Sequence, residues 1–387
     1  MSETAPPLAF GRSAPKPLLK AGRAFRRWRA LGPRLGKYQP VSTLELPATA
    51  VRRARVPAVN FHAHLGRWLS NDGSWIEKDV DALLDMMSGC NIESTVNLDG
   101  RWGGELEANL DRYDRAHPGR FYTFCQLDWR DLERPDGPER LVRSLRQSVA
   151  AGARGLKVWK DLGLSVEAKR EKVMPDDPRL RQVWDAAGDL GIPVLIHVAD
   201  PVAFFQPVDR HNERLEELLR HPGNSRCEGG LRLFHRLVMA LENILAAHPR
   251  TTIVGAHAVY PENLGYLAGM FEHHPNFFID VAWAHHQLGR QPRAAAALLA
   301  RYPDRVLFGS DVFPLRRGIL ETYFRFLETE DEAFPYTDAH SSGSGRWCIS
   351  GLGLAPEVLD LVYAGNARRL LRIKPSVQRG KPVLVDG

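Results

Sequence analysis

The sequence predicts an α/β protein folded as a (β/α)8 TIM barrel, with long loops after strands 5 and 8 and a flexible basic N-terminal arm. Three observations predict it. Short, nearly continuous apolar runs alternate with helical stretches, the pattern of a parallel sheet covered on both faces. There are eight such runs, the number a closed barrel needs. The first run leads into "HLGRW" and not into the glycine-rich phosphate turn of an open dinucleotide-binding sheet.

The runs follow in order. "AVNFHAH" (58–64) is the first, and "STVNLDG" (94–100) follows the helical "DVDALLDMMSGC". "RFYTFCQLDW" (120–129) and "GARGLKVWK" (152–160) come next, the latter after the amphipathic "PERLVRSLRQSVAA". "GIPVLIHVAD" (191–200), "TTIVGAHA" (251–258), "NFFIDVA" (276–282) and "DRVLFGSDV" (304–312) complete the set, and a last helix lies in "PEVLDLVYAGNARRLL". The connections after strands 5 and 8 extend to about residues 232 and 354. Loops of such length in a compact domain are usually functional.

Composition bounds the class. The 387 residues are 44% hydrophobic and 25% charged, as in an ordinary soluble enzyme with a sizeable core. No apolar run reaches the ~20 residues of a membrane-spanning helix, so no integral membrane segment is expected. The net charge of +6 leans on the first 45 residues, which read as a basic arm without a secretion signal. Within that arm, 18–31 could form a basic surface helix, with a solvated tail as the plainer expectation. The barrel is expected over 46–374 and a short tail over 375–387. The near-neutral remainder gives no reason to expect a nucleic-acid partner. Cys90, Cys125, Cys227 and Cys348 have no paired spacing, which argues against a thiolate zinc site or a disulfide framework and for a reducing cytoplasm.

The chemistry sits at the strand ends. Residues i and i+2 of a strand share a face, so His62 and His64 project together. Strand 4 ends near Lys157 and Lys160, strand 5 at His197, strand 6 at His257 and strand 8 at Asp311. A lone strand-end histidine is most often a satisfied core residue; five such groups at one end of a barrel are a joint signal. Three imidazoles and a carboxylate can hold Zn2+ or a similar ion with a position left open for water. Such an ion lowers the pKa of water to about 7. Asp311 could then serve as base as well as ligand, and His257 could orient or protonate the substrate.

These motifs resemble the amidohydrolase superfamily, and within it the amidohydrolase-related branch, amidohydrolase family 2. "NFHAHLG" is similar to its HxH strand, "IPVLIHVAD" and "TTIVGAHA" to its later histidine strands, "RVLFGSDVFP" to its strand 8 motif and "VYAGNARRLL" to its closing segment. The resemblance covers about 46–373. It implies His62, His64, His197 and Asp311 as ligands of one divalent metal, zinc first, with His257 as the catalytic histidine beside Asp311. Two-metal superfamily members carry a carboxylated lysine on strand 4, but Lys157 is read here as a substrate contact or internal ion pair, with no second metal expected. The resemblance implies a hydrolase of amide or lactone bonds, and in the same family a non-oxidative decarboxylase of aromatic or related acids. A barrel that only binds is the non-enzymatic alternative.

Arginine recurs beside tryptophan at strand ends. Arg67, Trp68 and Arg101, with Lys157 and Trp159, suit a small, carboxylated, flat substrate. The same residues could equally be rim ion pairs and cap packing. Among the remaining histidines, His273 and His274 fall at the far face, whereas His285 and His286 could line the site. The loop 204–224 is expected to act as a lid or to pack on a second subunit, as in a homodimer.

Overall fold

The computed structural model describes residues 42–337 and 343–373. The basic arm, but for its last residues, and the tail beyond 373 lie outside them. All elements below belong to the compact unit Leu46–Gly387.

All eight expected strands are present, each shorter than its apolar run. They are β1 (Ala58–Ala63), β2 (Ile92–Asn97), β3 (Phe121–Thr123), β4 (Leu156–Val158), β5 (Val194–Ile196), β6 (Ile253–Gly255), β7 (Phe277–Asp280) and β8 (Val306–Leu307). Parallel ladders join β1-β2-β3 and β4-β5-β6-β7-β8. Main-chain hydrogen bonds carry the ring across both gaps. Cys125 N–H donates to Gly155 O (2.9 Å) and Lys157 N–H to Cys125 O (2.7 Å), while Phe61 N–H donates to Phe308 O and Asp311 N–H to His62 O (both 2.9 Å). The ring of strands is closed, and the molecule is a TIM barrel.

Each strand is followed by a helix: α1 (Val80–Gly89), α2 (Gly103–Asn109), α3 (Gly137–Ala151), α4 (Arg181–Leu190), α5 (Gly230–Ala247), α6 (Leu264–His273), α7 (Pro292–Arg301) and α8 (Arg317–Glu328). Local chemistry sets their ends. Asp79 accepts from Ala82 N–H to start α1, Asn263 accepts from Tyr266 N–H to start α6, and left-handed Gly191 (φ 62°) stops α4.

The interior of the ring is filled by Val59, Phe61, Val96, Phe124, Leu195, Val254, Phe278 and Leu307. Ala364, Ala367 and Leu371 of the closing helical segment pack on the same cluster. Each fully buried Phe or Leu contributes about 1.5–3 kcal/mol. The alternate strand residues, such as Val194, Ile196, Ile253 and Phe277, face the outer layer of helices. Above the apolar layer the inward residues turn polar, and there the site is built.

The two long connections are not bare loops. The one after β5 holds a helix, Leu215–Arg220. The one after β8, expected as a loop, contains the amphipathic helix α8, whose Ile319, Leu320, Tyr323, Phe324, Phe326 and Leu327 are buried. The connections are tied to each other and to the β7 end: Arg346 pairs with Glu216, Arg220 donates to Gly343 O (2.9 Å), and Arg290 pairs with Glu213 (2.9 Å). All four cysteines are free. No helix among the described residues is long and apolar enough to cross a membrane.

Candidate metal centre

His62 and His64 leave the end of β1 on one side, as the alternation requires. The β1–β2 register slips between Asn60 and Ala63, an irregularity that re-aims side chains next to sites. Both imidazoles are 1% exposed, and both present Nε2 to one carboxylate oxygen. Asp311 Oδ1 lies 3.5 Å from His62 Nε2 and 3.2 Å from His64 Nε2. Asp311 Oδ2 lies 3.7 Å from His257 Nε2. His62, His257 and Asp311 each bring one ligand atom within 4.8 Å of the others. The His197 ring stands 4.4 Å from that of His257, edge to face. The five residues expected at the strand ends therefore come together. His64 and His197 sit just outside the tightest trio, which contains His257 in their place.

Close packing makes the approach possible. A Cβ at Gly309 would stand 2.8 Å from the Cβ of His62, so only glycine lets β8 pass behind that ring. A Cβ at Gly66 would stand 2.5 Å from the Cβ of Asp99; without it, Gly66 N–H donates to Asp99 Oδ2 (3.0 Å).

Two carboxylates behind the rings were not singled out in the sequence. Asp280 Oδ2 accepts from His62 Nδ1 (2.8 Å), and its Oδ1 accepts from His257 N–H (2.9 Å) and Ala282 N–H (3.1 Å). Asp99 Oδ1 accepts from His64 Nδ1 (2.6 Å). His257 Nδ1 donates to Ala282 O (2.7 Å). A carbonyl or carboxylate oxygen can only accept, so in all three rings the proton sits on Nδ1 and the neutral form offers Nε2 as a lone pair. This is the backing that orients metal-binding imidazoles. His64 Nε2 is also buried, facing the Asp311 carboxylate at 3.2 Å, which suits a group awaiting a cation. The donor set fits a divalent ion.

The family model described as Amidohydrolase (Amidohydro_2) matches residues 77–373. The chain belongs to this amidohydrolase family. The match begins after the two histidines of β1. Among solved structures, 2,6-dihydroxybenzoate decarboxylase from Rhizobium is similar at TM-score 0.53 and 17% identity, covering 82% of this chain and 99% of that one. A 2,6-dihydroxybenzoate decarboxylase complexed with 2,6-dihydroxybenzoate is similar at TM-score 0.51 and 18% identity, covering 83% of this chain and 99% of that one. These likenesses concern the fold. No curated protein matches in sequence.

The electrostatics of this amidohydrolase site are uneven. Burial holds His62 and His197 well below the ordinary histidine range. Burial also opposes charge on His64, but Asp99 and Asp311 together raise it to about 9. Burial would raise Asp311, yet the surrounding imidazoles hold it well below the usual carboxylate range. A metal ligand must give up its proton. At pH 7.5, loading a divalent ion is therefore expected to release one proton from His64 in addition to that of any water the ion acidifies. Calorimetric titration in two buffers of different ionisation enthalpy measures it; release of none would contradict His64 as a ligand.

A cavity of about 200 Å³ opens on the cluster and is lined by His197, His257, Asp311, Trp283 and Lys160, among others. Apolar cavities of ~150 Å³ hold benzene, so a substituted ring fits. The other expected substrate residues lie elsewhere. Trp159 packs edge-on against His64 (5.2 Å) and Trp68 (5.0 Å). Trp68 Nε1 donates to Asp99 Oδ1 (2.8 Å), and Arg67 pairs with Glu105. Arg101 donates to Gln126 (3.1 Å) and stacks on Trp68 and Trp102. Lys157 is 1% exposed, its amine has no hydrogen-bond partner, and burial lowers its pKa to about 8. None of Arg67, Trp68, Arg101, Lys157 and Trp159 lines the cavity. His286 does, as expected of the pair after β7, whereas His285 is enclosed by Tyr323 and Tyr336.

Several strand ends share a backbone feature. Arg101, Ala199, His257, Ala258, Val259, Trp283 and Asp311 all have left-handed φ, between 49° and 64°. They follow β2, β5, β6, β7 and β8, and they turn the chain sharply where the site begins.

Proposed function

We propose that the chain is a metal-dependent hydrolase that cleaves a C–N or C–O bond, of the amide or lactone type, in a small carboxylated molecule. The observation that carries this reading is the ionised Asp311 carboxylate, 3.2–3.7 Å from three imidazole Nε2 atoms at the wall of a ring-sized cavity. We assign His62, His64, His197 and Asp311 as the residues that would hold one divalent ion, zinc first. Such an ion, when bound, would acidify water and polarise a carbonyl.

The protein groups divide the remaining work. Asp311, half a ligand and 20% exposed, takes the proton of the attacking water. His257, also 20% exposed, turns Nε2 toward the cavity 3.7 Å from Asp311 Oδ2, so the proton that Asp311 takes from the water is relayed through His257 Nε2 to the leaving group. Asp99 and Asp280 keep the two β1 rings in the required tautomer. Arg67, Trp68, Arg101, Lys157 and Trp159 support the site from behind the ligands. The free thiols favour a reducing, cytoplasmic setting.

A second reading uses the same groups for decarboxylation, with His257 or Asp311 delivering a proton to carbon. The named activity of the decarboxylase from Rhizobium, similar over most of both chains, favours keeping it. The test is a panel of amides, lactones and aromatic acids on zinc-loaded and chelator-stripped protein. Metal-dependent hydrolysis without CO2 is the expected result. CO2 release from an aromatic acid would transfer the site to the second reading, and turnover indifferent to metal would defeat both.

A further inference from the structure

Away from the metal cluster, the same cavity carries a buried cation that the reaction does not use. Arg214 caps the N-terminus of the helix Leu215–Arg220 in the connection after β5 and is 1% exposed, yet it lines the cavity together with His286. Its backbone is fixed by Asn212, whose Oδ1 accepts from Arg214 N–H (2.9 Å). Its guanidinium lies between the rings of Phe204 (5.7 Å) and Trp347 (5.9 Å). One terminal nitrogen donates to Glu217 (2.9 Å) and the other to His286 Nε2 (2.6 Å).

A guanidinium has five N–H groups and no acceptor. Two of the five are used, and Nε has no partner. Because Arg214 can only donate, His286 accepts at Nε2 and carries its proton on Nδ1, which is also buried without a partner. Burial and Arg214 hold His286 well below the ordinary histidine range, so this ring is a neutral donor. Unsatisfied donors around a buried charge cost free energy that an apolar wall would not. Their natural complement is a planar anion, which a guanidinium fork binds through two parallel hydrogen bonds.

We propose that Arg214, with His286, reads a carboxylate of the substrate at the end remote from the metal cluster. The substrate class is then a ring-sized acid with one group placed at Asp311 and His257 and a carboxylate held at Arg214. This rests on the reading of the metal cluster as the reaction centre. It moves substrate recognition from the strand-end arginines, which are occupied by Glu105 and Gln126, to the connection after β5.

The experiment compares two probes by calorimetry on zinc-loaded protein: benzene-1,3-dicarboxylate and 3-acetylbenzoate, which has nearly the same shape, one charge fewer and no bond to hydrolyse. Wild type is expected to bind the dicarboxylate about 10–100-fold more tightly, the range of a charge-assisted hydrogen bond pair. Arg214→Met and Arg214→Gln, the latter still able to hydrogen-bond Glu217, should each bring that ratio to about one while zinc content and melting temperature hold. A ratio unchanged in either folded variant overturns the proposal. So does failure of both variants to fold, which would make Arg214 a structural ion-pair residue. If the protein takes up no zinc but the ratio still depends on Arg214, the metal reading falls and the anion site stands. Zinc uptake with an unmoved ratio gives the reverse.

Discussion

Asp311→Asn is expected to lower kcat/KM by about 10²–10⁴-fold, the usual contribution of a positioned acid–base group. The amide keeps the shape of the carboxylate but can neither hold the negative charge nor take a proton. In the native chain Asp311 faces His62, His64 and His257, and it stays ionised against the pull of burial. Its place after β8 is fixed independently by the bond from its own N–H to His62 O (2.9 Å), so the backbone should survive the change. Steady-state kinetics with metal analysis checks it. Full turnover with metal retained would remove Asp311 from the mechanism, and turnover lost together with all metal would leave it a ligand only.

The second large effect falls on a residue that touches no substrate. Asp280→Asn should weaken divalent-metal affinity by about 10–100-fold, the usual result of losing the partner behind a ligating histidine. One oxygen of Asp280 holds His62 Nδ1 and the other holds His257 and Ala282 through their N–H groups. An amide can keep one of these roles and must present N–H toward the other. Asp280 is 0% exposed, so no water can repair the mismatch. Competition against a chromogenic chelator measures the affinity, and an unchanged value would mean that His62 is not a ligand.

Much of this is legible in the sequence. The eight strands were visible because parallel strands buried on both faces leave long apolar runs. His62, His64, His197, His257 and Asp311 were visible because a barrel collects its strand ends on one face. Asp99 and Asp280 carried the same signal: each is an acid closing an apolar run, "VNLD" and "FFID". A single acid at a strand end, unlike a histidine pair, has no ligand spacing to mark it. The arginines beside tryptophans do stack on rings, but Arg67 and Arg101 find partners in neighbouring elements and never reach the cavity. Arg214 gave no local sign. It stands in a charged stretch, and only the packing of the connection after β5 against the β7 end buries it. Helix α8 was hidden because its amphipathic stretch follows the Asp311 motif without a clear break.

The left-handed residues at the strand ends bear on how this molecule could be improved or lost. A non-glycine residue in that conformation costs on the order of 1–3 kcal/mol, and more easily so when β-branched, as at Val259. Several sit around the cavity, so the rim is the part of the barrel least at ease in its own conformation, and the apolar interior beneath it supplies the margin that keeps it there. Selection for heat resistance alone should therefore favour glycine at Val259 or Ala258, relaxing the turn that aims His257. A lineage under that pressure would drift toward a sturdier and duller catalyst, and one under pressure for turnover would have to keep its weakest turns.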